Sequence, residues 1–237
     1  MAGDDWIHDG APSVRCLHGD VLERLRELPD ASCNLVLTDP PYNIGHAYTH
    51  NSKRVAAAWD KVDDYVPWCI NWLQECQRVL TPNGVLYMWH NDIAQIAQLL
   101  EAIRQETGLA LMGMCIWDKG NTYRSQTWRQ RDPDSATALR NYHRCDADHC
   151  NIWHVPPVPS TGRLHTCQKP VSILRRLVRV SCPPGGTVLD CFQGSASTGV
   201  AALDEGRSYI GIERDDHYHE VAVRRLREHM AQQRMDI

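Results

Sequence analysis

From residue 187 to residue 213 the chain reads TVLDCFQGSASTGVAALDEGRSYIGIE, the most informative pattern in the sequence for the architecture. Thr187–Asp190 and residues 208–212 are short apolar runs that predict two strands. The small residues between them open a predicted helix over 198–205. A strand, a small-residue loop, a helix and a second strand that leads into an acidic residue, Glu213, follow the nucleoside-binding logic of Rossmann-like sheets.

The loop of this unit has the composition that a bound nucleoside requires. Gly194 and Gly199 allow the backbone to approach a ligand closely, and the amide groups at the start of the helix favour a carboxylate. Glu213 can accept hydrogen bonds from both ribose hydroxyls. Because a glycine loop serves many nucleotides, this unit alone does not identify the ligand.

The rest of the chain alternates strands and helices in the same way. Runs rich in Val, Ile and Leu predict strands at 14–17, 34–38, 84–89 and 109–117. Segments of helical period predict helices at 21–28, 65–80, 92–106, 171–181 and 215–233. Turn sequences at 81–84 and 183–186 separate a helix from a strand. The sequence therefore predicts an α/β fold with a mostly parallel sheet and helices on both faces.

A second constellation, Asp39-Pro40-Pro41-Tyr42, directly follows the strand predicted at 34–38. Ligands of open α/β sheets collect at the carboxyl ends of strands, so a site is expected here. An aromatic amine is a poor nucleophile because its lone pair is delocalised, and the Asp39 carboxylate and Pro40 carbonyl can accept its hydrogens and localise that pair. The prolines stiffen the loop, and Tyr42 offers a face for an extruded base. The competing interpretation is a proline-rich turn with a capping Asp.

Composition limits the class of protein. The chain has 237 residues, and we expect a single catalytic domain over 14–237 after a tail over 1–13. No apolar run reaches the roughly 18 residues of a membrane span, and the acidic start does not have the features of a secretory signal, so we expect a cytoplasmic protein. The ten scattered cysteines predict mostly reduced, packed thiols.

The charges are distributed unevenly. A formal net charge of −4 argues against indiscriminate coating of nucleic acid, yet six basic and two acidic residues lie between Lys119 and Cys145. Residues 119–164 also have no clear periodicity, so we predict an inserted loop or small recognition module there, whose basic residues could contact phosphates; the alternative is a solvated basic face. Its candidate DNA contacts are Arg124, Arg129, Arg131 and Arg140. We predict no metal, because the spacing of the residues in the following group matches no common zinc pattern: His143, Cys145, His149, Cys150 and His154.

Together these features resemble the DNA amino-methyltransferases of the permuted β group. In that group the Asp-Pro-Pro-Tyr motif also precedes the recognition region and the cofactor loop. His18-Gly19-Asp20 and the segment His165-Thr166-Cys167-Gln168-Lys169-Pro170 add to the resemblance, which spans about residues 15–227. It implies a Rossmann-like S-adenosylmethionine-dependent methyltransferase fold, S-adenosylmethionine as the cofactor and double-stranded DNA as the substrate.

The resemblance also implies residue roles. In the catalytic motif, Asp39 and the Pro40 carbonyl would hold the target amine, Pro41 would stiffen the loop, and Tyr42 would stack on the flipped base. The residues assigned to cofactor binding are Asp20, Lys169, Asp190, Phe192, Gly194, Ser195, Thr198, Gly199 and Glu213. Asp39 at the first motif position resembles adenine-N6 enzymes, because cytosine-N4 enzymes more often have Ser there.

The sequence departs from the family pattern in three places. Ala196 replaces the second Gly of the usual Phe-x-Gly-Ser-Gly, Cys191 replaces a Pro, and Thr166-Cys167 replaces Pro-Thr. Cofactor affinity is the property that these changes affect. Ala is the smallest residue with a Cβ atom, so we still expect binding.

These observations lead to one predicted function and several alternatives. We predict transfer of a methyl group to the N6 amine of adenine in DNA, by base flipping and direct attack. The alternatives are cytosine N4, an amine of RNA or a protein glutamine, and a DNA-binding module with a decayed cofactor pocket. A homodimer and a restriction endonuclease partner are left open.

Overall fold

The computed structural model describes residues 6–43, 47–50, 53–56, 60–119, 152–159, 161–165 and 167–235. The chain divides into two compact units, Met1–Leu111 with Pro159–Ile237, and Met112–Val158. In the order of the chain, the elements of the first unit are β1 (Trp6–His8), β2 (Val14–His18), α1 (Val21–Arg26), β3 (Cys33–Thr38), β4 (Ala47–His50), β5 (Lys53–Ala56), α2 (Tyr65–Val79), β6 (Leu80–Met88) and α3 (Ile93–Glu106). The second unit contributes β7 (Ile116–Asp118) and β8 (Ile152–His154), and the first unit resumes with α4 (Val171–Ser181), β9 (Thr187–Asp190), α5 (Ser197–Asp204), β10 (Ser208–Glu213) and α6 (Asp216–Met235).

The first unit is built on a six-stranded sheet with the order β1-β2-β10-β9-β3-β6. The edge strand β1 pairs antiparallel with β2, and the other neighbours are parallel. β9 and β10, the last strands of the chain, therefore lie in the middle of the sheet. This arrangement confirms the predicted α/β class and the mostly parallel sheet.

Helices cover both faces of this sheet because strand side chains alternate between faces. Val36 and Leu189 pack in one buried cluster with residues of α1, α2 and α3. Their neighbours Leu35, Leu37 and Val188 point to the other face and are fully buried too. α4, α5 and α6 contact the sheet strands and pack against one another in sequence. The helices on both faces, which the sequence predicted, are thereby confirmed.

Two sequence-based expectations for secondary structure are wrong. Of the strand predicted at 109–117, only Ile116–Asp118 forms, as β7 paired with β8. Leu111 and Met112 in the failed part are 68% and 94% exposed, so the apolar run that suggested a strand does not face a core. Residues 81–84, predicted as a turn, instead form an irregularity inside β6. It lies between Leu80, which pairs with Cys33 of β3, and Val85, which pairs with Leu35.

The sequence did not predict four short strands: β1, β8 and the antiparallel pair β4 and β5. Strands of three or four residues give too few alternations to be read from hydrophobic period. Among the helices of the described residues, none has the length and apolar composition needed to cross a membrane.

Candidate active site

Two loops meet at the carboxyl ends of neighbouring parallel strands, β3 and β9. The catalytic loop, residues 39–43, follows β3, and the cofactor loop, residues 191–196, follows β9. The Thr38 hydroxyl joins them: it donates to Asp190 Oδ1 at 3.0 Å and accepts from the Cys191 amide at 3.1 Å. The sheet therefore brings together two motifs that lie about 150 residues apart in the chain, as expected for a switch point of an open α/β sheet.

Both carboxylate oxygens of Asp39 have internal partners. The Tyr42 hydroxyl donates to Oδ1, and the Lys169 ammonium pairs with Oδ2. Burial, followed by the charge of Asp39, raises the pKa of Tyr42 well above its usual value, so its hydroxyl stays a donor. The resemblance assigns Lys169 to the cofactor, and the structure places its charged group on the catalytic carboxylate.

The backbone of the catalytic loop is held by side chains that follow it in the chain. Asp60 Oδ1 accepts from the amides of Tyr42 at 2.9 Å and Asn43 at 2.8 Å, and Asp60 is only 2% exposed. The Tyr65 hydroxyl donates to the Pro41 carbonyl at 2.8 Å. Two consecutive peptide groups, the one between Pro41 and Tyr42 and the one between Tyr42 and Asn43, thus have a fixed direction, which preorganises the loop.

Aromatic rings surround the catalytic loop. The Tyr42 ring lies 4.9 Å from the His90 ring, with the planes tilted by 36°. The Lys169 ammonium lies 5.9 Å from the Tyr42 ring centroid and 5.6 Å from that of Trp89. Flat surfaces beside a carboxylate and a cation suit a planar heteroaromatic base.

Asp190 ends β9 and is buried under the cofactor loop. Its Oδ1 accepts from the Thr38 hydroxyl and, at 3.2 Å, from the Phe192 amide, while the Thr198 hydroxyl is a further partner. Burial raises the pKa of Asp190 to about 6. The carboxylate is therefore tied to the loop backbone from below.

Phe192, Ser195 and Thr198 shape the rest of this loop. The Phe192 ring contacts Trp68 and Trp72 of α2, with centroids 5.6 and 5.4 Å apart. Ser195 and Thr198 are 3% and 5% exposed. The cofactor loop is consequently packed into the core.

Arg225 of α6 also holds the cofactor loop. Its Nη1 donates to the Ser195 carbonyl at 2.7 Å and to the Ser197 hydroxyl at 3.1 Å. Burial lowers the pKa of Arg225. A guanidinium bound to a backbone carbonyl fixes the direction of that peptide group.

Glu213 lies at the carboxyl end of β10, beside Gly194. Its Oε2 accepts from the Gly194 amide and its Oε1 from the Asp215 amide, each at 2.9 Å. Burial raises the pKa of Glu213. The Arg214 amide is a third backbone donor to this carboxylate. Two carboxylate oxygens offer about four lone pairs, so capacity remains for a donor such as a ribose hydroxyl of a nucleoside. Gly194 has a φ of +49°, a backbone conformation that favours glycine.

A family model for DNA methylases of the N6/N4 type matches residues 33–133 and 127–224. The chain belongs to this DNA methylase family. It is a DNA methyltransferase of the N6/N4 amino type, and both loops described above lie within the matched residues.

Two characterised relatives of the methylase match nearly its whole length. The type II methyltransferase M.HinfI of Haemophilus influenzae is 29% identical over 246 residues, which cover 90% of this chain and 68% of that one. The DNA adenine methyltransferase YhdJ of Escherichia coli K12 is 29% identical over 251 residues, which cover 92% and 84%.

Solved structures share its fold. The cytosine-N4-specific PvuII DNA methyltransferase superposes with a TM-score of 0.69 at 19% identity, covering 96% of the methylase and 90% of that chain. The M1.HpyAVI–SAM complex gives 0.64 at 18% identity, covering 90% and 98%. These likenesses confirm the Rossmann-like methyltransferase fold.

Gly199 of the methylase has a packing role in the structure. A Cβ atom at this position would lie 2.7 Å from Tyr209 Cε1 and 2.8 Å from Leu226 Cδ2. Only glycine therefore lets α5 approach β10 and α6 this closely. The resemblance assigns Gly199 to the cofactor, and the structure gives it a contact inside the core.

The departures from the family motif are accommodated locally. Ala196 is fully buried and adopts left-handed backbone angles, φ 56° and ψ 40°, immediately before α5. Cys191 is buried with its Sγ 3.4 Å from that of Cys76. The Cys167 amide donates to His165 Nδ1 at 3.1 Å, whereas Thr166 lies outside the described residues.

Asp20 is placed by α1 at the carboxyl end of β2. Its Oδ1 accepts from the Leu22 amide at 2.9 Å and from the Glu23 amide at 3.4 Å, so it caps the helix. The Gly19 amide donates to the Glu213 carbonyl at 2.9 Å, which holds Asp20 near the ribose-binding candidate.

The predicted DNA contacts Arg124, Arg129, Arg131 and Arg140 lie outside the described residues. The same is true of His143, Cys145, His149 and Cys150. In the second unit, His154 Nδ1 lies 2.8 Å from Asp118 Oδ2.

Sequence reasoning missed three residues of the catalytic site: Asp60, Tyr65 and His90. His90 comes just after β6, so the rule that located Asp39 at the end of a strand could have found it. Tyr65 starts the helix predicted at 65–80, and the helical period does not distinguish it from a residue that only packs. No pattern in the sequence marks Asp60.

Proposed function

We propose that the methylase transfers a methyl group from S-adenosylmethionine to the N6 amine of adenine in double-stranded DNA. The observation that carries this proposal is the Asp39 carboxylate, which lies at the end of β3 beside the strand that leads into the cofactor loop. Asp at this position resembles adenine-N6 enzymes, and the relative YhdJ is named an adenine methyltransferase. Cytosine N4 is the second candidate, favoured by the likeness to the PvuII enzyme.

The cofactor-side residues fit a nucleoside that carries an amino-acid tail. Glu213 is an acceptor for the ribose hydroxyls, and the small residues before α5 leave room for close backbone approach. S-adenosylmethionine supplies an electrophilic methyl group on a sulfonium. The residues of this chain supply its binding and its orientation towards Asp39.

The target amine has to compete for Asp39. Because Tyr42 and Lys169 occupy the two carboxylate oxygens, the amine shares an oxygen with the hydroxyl or displaces the ammonium. Its hydrogens then point to Asp39 and to the Pro40 carbonyl, which localises the nitrogen lone pair. Bound S-adenosylmethionine would supply the methyl carbon to this nitrogen, with the electrons of the carbon–sulfur bond staying on sulfur. The N–H proton would pass to water, directly or through the Asp39 carboxylate that accepts it in a hydrogen bond.

Base flipping and DNA recognition complete the proposal. A stacked base cannot reach a carboxylate at a sheet edge, so the target base leaves the duplex and lies against the rings around the catalytic loop. Residues 119–164 form the recognition region within a catalytic domain over 14–237, with the four arginines named above on the phosphates. A cytoplasmic location, a homodimer and an endonuclease partner stay predictions.

The test of this function is methyl transfer to duplex DNA followed by identification of the modified nucleoside by mass spectrometry. Asp39→Ala should bind S-adenosylmethionine within about tenfold of the parent, equal to about 1.4 kcal/mol, and transfer no detectable methyl. Asp30→Ala is the matched control, because Asp30 is an exposed carboxylate whose partner is Arg78. It should methylate as the parent does.

The outcomes separate the alternatives. N6-methyladenine supports the proposal, and N4-methylcytosine replaces it with the second candidate. A parent protein that binds no S-adenosylmethionine in calorimetry would be the decayed module. Activity on RNA or on protein glutamine, without activity on DNA, would reassign the substrate.

A further inference from the structure

A chain of hydrogen bonds with a fixed direction runs from His90 to the catalytic loop. His90 Nδ1 accepts from the amides of Asn91 and Asp92, each at 3.1 Å. A ring nitrogen that accepts carries no proton, so the proton of the neutral ring is on Nε2. Nε2 lies 3.0 Å from the Tyr65 oxygen, and the Tyr65 hydroxyl in turn donates to the Pro41 carbonyl at 2.8 Å. The hydrogen bonds from His90 to Pro41 thereby have one direction, and the Cys69 thiol is a further partner of the Tyr65 hydroxyl.

This series of hydrogen bonds joins three elements of the first unit. His90 follows β6, Tyr65 opens α2, and Pro41 belongs to the loop after β3. Tyr65 is 8% exposed, and its ring stacks on Trp68 with centroids 6.0 Å apart, so the packed ring fixes the position of the hydroxyl. The carbonyl that it binds belongs to the peptide group between Pro41 and Tyr42. The orientation of this peptide sets the direction from which Tyr42 reaches Asp39.

We propose that Tyr65, with His90 behind it, is a positioning residue for methyl transfer: it holds the catalytic loop so that Asp39 and the Pro40 carbonyl face the target amine together. The inference rests on the proposed function of this loop. Neither side chain has to touch the substrate for this role. The effect is on the geometry of the acceptors, and a small displacement of such groups is costly for the rate.

The hydrogen bonds from His90 to Pro41 require His90 to be neutral. A second ring proton would be on Nδ1, where it would face the two amide hydrogens of Asn91 and Asp92. Burial lowers the pKa of His90, and the nearby carboxylates oppose this effect. The groups that face the ring from the surrounding elements are Asp92 and Gln95 of the α3 start, Asp39 and Tyr42 of the catalytic loop, Asp60, and Tyr65 of α2.

The sign of the pH dependence follows. Because the working form of His90 is the neutral one, the rate of transfer is full above the pKa of His90 and falls as the pH drops through it. Burial also raises the pKa of Tyr65 far above the working range, so Tyr65 remains a donor throughout. His90 therefore contributes to the acid side of the rate profile. Burial raises the pKa of Asp190 and Glu213 into the same region, so substitution of His90 is needed to separate its share.

The first experiment compares two hydroxyl deletions. Tyr65→Phe keeps the ring and removes the donor to Pro41, so kcat should fall between about tenfold and a hundredfold while the affinity for S-adenosylmethionine is unchanged. Tyr87→Phe is the control, because the Tyr87 hydroxyl is also part-buried and lies 3.0 Å from the Ser181 hydroxyl. The control should keep the parental kcat, and thermal melting should show that both variants fold.

The second experiment replaces the histidine. His90→Gln retains an N–H donor for the Tyr65 hydroxyl, so it should keep most of the activity. Because glutamine cannot titrate, the variant should lose the part of the fall in rate at low pH (the acid limb) that is assigned to His90. His90→Leu removes the donor and should resemble Tyr65→Phe. In the Tyr65→Phe background, the difference between Gln and Leu at position 90 should disappear, because the chain is already broken.

Three results would overturn the inference in a parent that methylates DNA. The first is a Tyr65→Phe variant with parental kcat, the second is an equal loss in Tyr65→Phe and Tyr87→Phe, and the third is a His90→Gln variant that keeps the acid limb of the parent. A parent without any methyl transfer contradicts the proposed function instead, so the two failures are distinguishable.

Discussion

The catalytic loop and the cofactor loop lie side by side at one edge of one sheet, yet they are held in different ways. In the cofactor loop, Gln193, Ser195 and Ala196 are almost completely buried, and packing against helices fixes the loop. In the catalytic loop, Asp39 and Tyr42 are only partly buried, and side chains from later in the sequence hold the backbone by hydrogen bonds. Substitutions around the first loop should therefore change stability, and those around the second should change the rate of transfer.

The largest expected effect concerns Asp60, whose carboxylate holds two amides of the catalytic loop. Asp60→Ala should lower kcat by about a hundredfold, because the loop loses its preorganised shape, and should leave cofactor affinity within about twofold. Steady-state kinetics and calorimetry measure the two quantities. Asp60→Asn keeps an acceptor oxygen and should recover part of the rate.

Asn34→Ala is the control for Asp60. Asn34 Oδ1 accepts from the Thr187 amide at 2.9 Å and joins the same two strands, β3 and β9, at their amino ends. Its loss should lower stability without a change in kcat. If both variants lost the same fraction of kcat, the difference between the two loops would not hold.

A smaller effect is expected at Gly199, where the cofactor loop passes into α5. Gly199→Ala would bring Cβ within 2.8 Å of Leu226 and 2.7 Å of Tyr209, and we expect a net loss of about 1–2 kcal/mol in the free energy of unfolding after the helix propensity of alanine is included. Urea unfolding measures it. Gly113→Ala, with nothing within 4 Å of the added Cβ, should change stability by less than about 0.5 kcal/mol. Equal effects of the two substitutions would contradict the packing role.

The smallest effect is expected at Ala196. Two alanines of the described residues have left-handed backbone angles, the buried Ala196 with φ 56° and the exposed Ala31 with φ 51°. Ala31→Gly should stabilise by roughly 0.5–1 kcal/mol through relief of strain. Ala196→Gly gains the same relief and loses a buried methyl group of about 0.8 kcal/mol, so the net change should be near zero.

The dissociation constant of S-adenosylmethionine shows whether Ala196, which replaces the usual Gly of the family motif, obstructs the cofactor. If Ala196→Gly raised the affinity for S-adenosylmethionine more than about tenfold, the methyl group at this position would obstruct the ligand. We expect an unchanged dissociation constant, because the Ala196 side chain is buried within the loop.

The sequence predicted the parts of the fold that long hydrophobic patterns specify. α4 and β9 have the predicted bounds, and the other main helices agree within two residues at each end. The four short strands β1, β4, β5 and β8 were missed because three or four positions show no hydrophobic period, whereas the equally short β9 was recognised as a short apolar run before a small-residue loop. The run at 109–117 was misread, since an exposed apolar segment looks like a buried strand when only the sequence is seen.

At the site, sequence reasoning found residues that belong to compact motifs and missed those that support them. Asp39 and Glu213 follow strands and were located by position. Lys169 was assigned to the cofactor, and its ion pair with Asp39 depends on the fold and cannot be read from spacing. Asp60 and Tyr65 act through the backbone of another segment, so their chemistry is invisible until the chain is folded.

The strand order has a consequence for how the protein is made. β9 and β10 lie between β2 and β3 in the sheet, although both are synthesised after them. The Thr38–Asp190 bond spans 152 residues, and contacts between such distant parts of a chain slow folding. A nascent chain that has reached β6 but not β9 has the catalytic motif with one neighbouring strand, and it lacks the strand that leads into the cofactor loop. Competence to modify DNA therefore arises only after β9 and β10 have been synthesised and inserted between β2 and β3.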